Sequence, residues 1–187
     1  WFRRDLRLKD NVALNEALRS GFPVLAFYIF DSNVVPVYEK KDSRVTFIYD
    51  QLHSINLQLQ KFKSSVCVKN GMTESIVKQL FSQYSVKGLY YNREYDPATI
   101  VRDTDIKTMC QKQGIPTYSF KDQVVYEFNE VLKGDGMPYT VFTPYKKKWL
   151  ARFSAADIKK SVRPRNGLFL NSTESFPTLE SLGFVRS

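Results

Sequence analysis

The sequence predicts an α/β fold, a three-layer Rossmann-like sandwich built on a five-stranded parallel sheet. Strand and helix signals alternate through the first two-thirds of the chain. Residues 24–30 (VLAFYIF) form an unbroken apolar run, as a strand buried on both faces would. Residues 44–62 place Val45, Ile48, Leu52, Ile55, Leu59 and Phe62 at steps of three and four, the stripe of an amphipathic helix. Repeated strand-helix-strand units imply right-handed crossovers and helices on both faces of the sheet.

The elements follow in order. Trp1-Phe2 reads as the end of a buried strand, cut from a longer polypeptide, that breaks into the charged run Arg3-Arg4-Asp5-Leu6-Arg7. The strand at 24–30 ends at Asp31, Ser32 and Asn33, and Asp42 and Ser43 are candidate caps for the helix that follows. Residues 66–68 are a short strand ending near Gly71, and Thr73 is a candidate cap for a helix with Ile76, Val77, Leu80, Phe81 and Tyr84 inward. Residues 88–92 form the next strand. Asp96-Pro97 opens a helix that Gly114 closes, and 116–120 is the fifth strand. Beyond it, 124–128 is a candidate extended piece, 133–136 a turn, and 143–153 a helix with Thr143 as cap and Pro144 in its first turn. From 154 onward Ser, Pro and Asn, with Lys159, Lys160, Arg163 and Arg165, suggest a strap or linker.

Composition narrows the functional classes. Hydrophobic content of 43% is ample for a packed core, and no apolar run approaches membrane-spanning length, so a cytoplasmic (or nuclear) protein is expected. A net charge of +9 favours polyanionic partners as readily as it describes a solvated basic surface. Cys67 and Cys110 read as buried reduced thiols. His53 is the one histidine; it lies off the apolar stripe of its helix and reads as a surface residue, which leaves no His-rich metal site. No GxGxxG, P-loop or GxSxG elbow is present, and Gly134-x-Gly136 is better read as a loop reversal than as a phosphate cradle. Asp103 and Asp105 read as a solvated helix face. Ligands on such sheets sit beyond the carboxyl ends of the strands, here at residues 3–7, 31–33 and 92–96.

Four segments, in order, carry a family resemblance: WFRRDLRLKDNVAL at 1–14, Arg44-Val45, YNREYDP at 91–97 with Arg102-Asp103, and MPYTVFTPY at 137–145 with Lys148-Trp149. Together they resemble the DNA photolyase and cryptochrome family over residues 1–150. The resemblance implies an amino-terminal antenna domain at 1–150 and, at 151–187, the start of the connection to a helical FAD-binding domain that this chain lacks. It implies that the parent protein uses blue light and FAD to repair cyclobutane pyrimidine dimers in UV-damaged DNA, as a monomer, and that this chain by itself is inactive, with no catalytic residue and no metal site.

The resemblance also points to an antenna pocket. Phe2, Phe30 and Tyr95 would wall a planar pigment, with Asp31, Arg44, Glu94 and Asp96 as polar contacts. Each polar residue also has a plain structural reading: Arg44 as a carboxylate partner, Asp96 as a helix cap, Glu94 as a solvated loop charge. Folate-binding members carry an Asn-Glu pair near the start of this helix; Ala98 and Thr99 stand here instead, so a flavin or deazaflavin antenna, or none, is expected rather than folate. Arg3, Arg4 and Arg7 are expected to pair with Asp5, Asp10 or other acidic groups and, with Trp149, to serve the domain interface. A cryptochrome without repair activity and a free-standing nucleotide-binding domain are the competing readings.

Overall fold

The structure, a computed structural model, describes residues 1–33, 39–154, 167–172 and 175–187. Its elements are α1 (Val12–Arg19), β1 (Ala26–Asp31), α2 (Ser43–Gln60), β2 (Val66–Gly71), α3 (Thr73–Gln83), β3 (Leu89–Asn92), α4 (Pro97–Lys112), β4 (Thr117–Phe120) and α5 (Phe142–Arg152). The basic residues Lys159, Lys160, Arg163 and Arg165 lie outside the described residues.

The helix α1 is an element that the strand-helix alternation does not predict. Asn11 caps it, accepting from the Leu14 N–H at 3.0 Å, and Ala13, Leu14, Ala17 and Leu18 form its buried face. Two expected caps do other work. Thr73 is the first residue of α3, and its hydroxyl donates to Asp31 Oδ2 at 2.7 Å. Thr143 lies inside α5, which begins without a side-chain cap. Residues 124–128 form no strand.

In place of one five-stranded sheet, the described residues form two parallel pairs. β1 runs beside β2 with Ala26 opposite Val66, and β3 beside β4 with Leu89 opposite Thr117. Trp1 and Phe2 lie between the pairs. The Trp1 amine donates to the Tyr90 carbonyl at 2.9 Å and the Phe2 N–H to the Phe27 carbonyl at 2.8 Å. Two residues are too few for a ladder, so only an isolated bridge, Phe2 with Tyr28, forms there.

Alternation along the strands sorts side chains into two cores. Phe2, Tyr28, Phe30, Val66 and Val68 pack with Leu14, Leu52, Ile55 and Leu59 from α1 and α2. Phe27, Ile29 and Cys67 pack with Val77, Leu80, Ile106 and Cys110 from α3 and α4. Helices therefore cover both faces, giving three layers. The first core is completed from the far end of the chain by buried Phe169, Leu179, Leu182 and Phe184. That strap is fastened by backbone bonds between Val24 and residues 168 and 170, by Asn70 donating to the Leu182 carbonyl at 2.7 Å, and by a bidentate Arg186–Asp50 pair.

Candidate functional site at the carboxyl ends of the strands

The carboxyl ends of the opening segment and β3 meet in a buried polar cluster. Arg3, buried to 7% exposure, grips both oxygens of Asp103 at 2.6 and 2.7 Å and also donates to the Asn92 carbonyl. Its guanidinium lies 4.9 Å from the ring centres of both Trp1 and Tyr91. Glu94 gathers three arginines: Arg102 at 2.7 Å, Arg4 at 2.9 Å and Arg3 at 3.4 Å. Burial alone would lower the Arg102 pKa, but the Asp103 charge and the hydrogen bonds to Glu94 and Asp103 outweigh it and hold the pKa above its ordinary value.

A hydrogen-bonded layer centred on Asp5 backs the ion pairs. Asp5 accepts from its neighbour Arg3 N–H at 2.8 Å, from Asn11 at 2.9 Å and from Asn92 at 2.6 Å. Asn92 Oδ1 accepts from the Ala13 N–H at 2.9 Å. Asn11 and Asn92 thus tie the first turn of α1 to the end of β3. Arg7 pairs with Asp122 at 2.8 Å, and Asp122 also accepts from the Val12 N–H at 3.0 Å.

The opening arginines are therefore ion-paired, as expected, but mostly with distant carboxylates. Only Arg7 touches Asp10, through its carbonyl at 2.7 Å. Asp103 is not on a solvated face: its side chain is 12% exposed and held by Arg3 and Arg102. Asp105 is exposed. Glu94 is likewise a buried ion-pair centre rather than a solvated loop charge.

The seven candidate pigment residues have different surroundings among the described residues. Phe2 and Phe30 sit inside the first core, Phe30 against Tyr28 and Phe184 with ring centres at 4.9 and 5.4 Å. Asp31, buried at the end of β1, accepts from Thr73 and from the Asn33 N–H. Arg44 is exposed and grips the cap residue Asp42 at 2.6 Å, which holds the Asp42 carboxyl below its usual range. Asp96 caps α4 through the Ala98 N–H at 3.1 Å. The Tyr95 hydroxyl donates to Glu127 at 2.9 Å; burial, then that bond, push its pKa up to about 12. Burial would raise the Glu127 pKa, but Arg93 at 2.6 Å and Tyr95 hold it below the usual range. A groove of about 520 Å³ takes Phe2 alone of the seven and opens at the amino ends of β1 and β3.

The remaining candidate, Trp149, stands on α5, where its ring meets Tyr126 edge-on at 5.5 Å and stacks on Phe153 at 5.2 Å. None of the α5 residues is buried. Around it Phe128, Met137, Val141, Phe142 and Leu150 are all more than half exposed.

The described residues form a three-layer parallel α/β domain with charge concentrated at its strand ends, the place where ligands bind on such sheets. The family is more particular. The DNA photolyase model matches residues 1–164, and the chain belongs to that family. It is 30% identical over 145 residues to a deoxyribodipyrimidine photo-lyase of Agrobacterium fabrum, covering 78% of this chain and 30% of the relative. It is 29% identical over 153 residues to cryptochrome-1 of Arabidopsis thaliana, covering 81% of this chain and 22% of the relative. A bacterial class III photolyase from Agrobacterium tumefaciens superposes with a TM-score of 0.78 at 27% identity, over 96% of this chain and 36% of that one. An archaeal photolyase from Sulfolobus tokodaii, solved with two FAD molecules and implicating a novel light-harvesting cofactor, superposes with a TM-score of 0.65 at 29% identity, over 79% of this chain and 33% of that one. The chain therefore spans about a third or less of these proteins.

Proposed function

We propose that the chain is the amino-terminal, light-harvesting domain of a blue-light-dependent deoxyribodipyrimidine photo-lyase that splits cyclobutane pyrimidine dimers in DNA. The observation that carries this reading is the family match over residues 1–164. Residues 1–150 form the domain, and 151–187 begin its connection to a helical FAD-binding domain that completes a cytoplasmic monomer. The residues of this chain carry no catalytic role; they seat and orient. The apolar surface around α5 supports docking on the second domain, with Trp149 inside that contact, because surface of this kind marks an interaction site. Arg3, Arg4 and Arg7 hold the strand end rather than binding phosphate, since each is already ion-paired.

The donor set at the carboxyl ends fits a pigment only at its rim. Arg44 and Asp96 keep exposed heads, and the half-buried ring of Tyr95 stands beside Asp96. Phe2, Phe30 and Asp31 are buried within the domain, and Glu94 is held by Arg4 and Arg102, so these four would support the strand ends rather than touch the pigment. A bound pigment there, a flavin or deazaflavin rather than a folate, would absorb light and pass the excitation to the FAD. Absorption spectra of the full-length protein from its own host test this; a bound folate overturns it.

The second reading is a cryptochrome, favoured by the match to cryptochrome-1. Blue-light irradiation of dimer-containing DNA with the reduced, flavin-loaded full-length protein separates the two. Loss of dimers is expected, and intact dimers would transfer the chain to the cryptochrome reading. A reading frame continuing into a flavin-binding region removes the free-standing domain.

A further inference from the structure

Tyr95 and Glu127 form a phenol–carboxylate pair just past the carboxyl end of β3. The Tyr95 hydroxyl donates to Glu127 Oε1 at 2.9 Å, and the same oxygen accepts from Arg93 Nε at 2.6 Å. Arg93 is fixed in turn. Its Nη1 donates to the Ser119 carbonyl at 2.9 Å and to the Ser119 hydroxyl at 3.2 Å, and its backbone N–H donates to the Phe120 carbonyl at 2.7 Å. The Glu127 N–H donates to Glu130 Oε2 at 2.6 Å, which holds the carboxylate's own backbone. The pair is thus braced against β4 and the segment that follows it.

Such a pair has a use beyond walling a ligand. Removing one electron from a phenol turns its hydroxyl into a strong acid, and the electron leaves easily only where a base already holds that proton. Glu127 lies within the reach such a transfer needs. Burial opposes its charge, but the bonds from Arg93 and Tyr95 keep it ionised, so the proton acceptor is vacant before the electron leaves. Tyr49 makes the contrast. Its hydroxyl donates to the Pro177 carbonyl at 3.0 Å, an amide oxygen that cannot take the proton away. Tyr95 is half-buried rather than sealed, and it stands beside exposed Asp96 at the strand ends.

We propose that Tyr95 is a redox-active tyrosine, a one-electron donor whose proton passes to Glu127. The electron goes to a photo-excited, oxidised flavin-type ring at the strand ends, an acceptor that rests on the pigment reading above. The step balances: the ring gains one electron, Tyr95 becomes a neutral tyrosyl radical, and its proton moves along the 2.9 Å bond to Glu127 Oε1. Return of the electron and the proton restores the pair. Arg93 is a positioning residue, which orients the carboxylate toward the phenol.

Oxidation of the full-length protein in the dark tests the donor apart from the pigment. Hexachloroiridate(IV) serves as the one-electron oxidant, a nitroso spin trap captures the radicals, and peptide mapping locates the adducts. Trapping at Tyr95 ahead of Tyr118, which is 41% exposed, is expected. Glu127→Gln keeps the shape and removes the base. It is expected to slow trapping at Tyr95 by about a hundredfold and to abolish the slowing that heavy water imposes on the parent. Tyr95 left unlabelled while Tyr118 is trapped, or a Glu127→Gln rate equal to the parent's, would overturn the proposal. Should Glu127→Gln unfold the protein, the adduct map of the parent still decides. Trapping at Tyr95 in a protein whose own spectrum shows no flavin-type pigment would uphold the donor and overturn the pigment reading alone.

Discussion

The strand-end cluster and the α5 region use charge and apolar surface in opposite ways. At the strand ends, Arg3, Glu94, Arg102 and Asp103 are taken out of water and matched to one another. Around α5, Phe142, Val141 and Leu150 are each more than half exposed to water. The first region is satisfied within the domain, and the second is exposed apolar surface. Position in the fold predicts the difference: the cluster joins elements brought together by sheet topology, whereas α5 lies beyond the last strand.

Substitutions should separate the two regions cleanly. Arg3→Ala should have the largest effect, about 3–5 kcal/mol in urea unfolding, because it removes the buried guanidinium that Asp103 and Glu94 share and leaves Arg102 as the remaining buried cation for both. Phe184→Ala should cost about 3 kcal/mol, since it opens the first core under the strap. Asn92→Ala should cost about 2 kcal/mol by removing one of the three donors to Asp5 and the side-chain acceptor of the Ala13 N–H. Phe142→Ser on α5 should move stability by less than about 0.5 kcal/mol. It should instead loosen domain docking, read as faster proteolysis between the domains of the full-length protein. If it destabilises as much as Arg3→Ala, the contrast collapses.

The smallest effect concerns pH. The Tyr95 hydroxyl titrates near 12 rather than 10, so it stays protonated in the folded chain after the unfolded chain has begun to ionise. Its contribution is full below pH 10 and lost as pH rises toward 12. Unfolding midpoints of the parent and of Tyr95→Phe should converge over that window.

Much of the layering was legible because it is local. The stripe at 44–62, the Asp96-Pro97 start and the apolar run at 24–30 each announce themselves within a few residues. The signal for α1 is weaker, although Asn11 followed by Ala13, Leu14, Ala17 and Leu18 is a cap and an apolar face. Its neighbour, the charged opening run, is the stronger local signal. The cluster was illegible for a different reason. Arg3 and Asp103 are a hundred residues apart, and nothing in either segment names its partner. Arg102-Asp103 did stand inside a family segment, which marked the pair without revealing its role. The pigment residues divided on the same ground: sheet topology located the strand ends, but side-chain pairing decided that Glu94 faces three arginines.

The two cysteines carry a practical consequence. Both are buried, and burial pushes the Cys110 thiol up to about 11, leaving almost no thiolate at neutral pH. An alkylating reagent can reach Cys110 only when the layer between α3 and α4 opens, so its labelling rate is an intrinsic clock for that opening. No probe has to be engineered into the domain to follow how often it breathes.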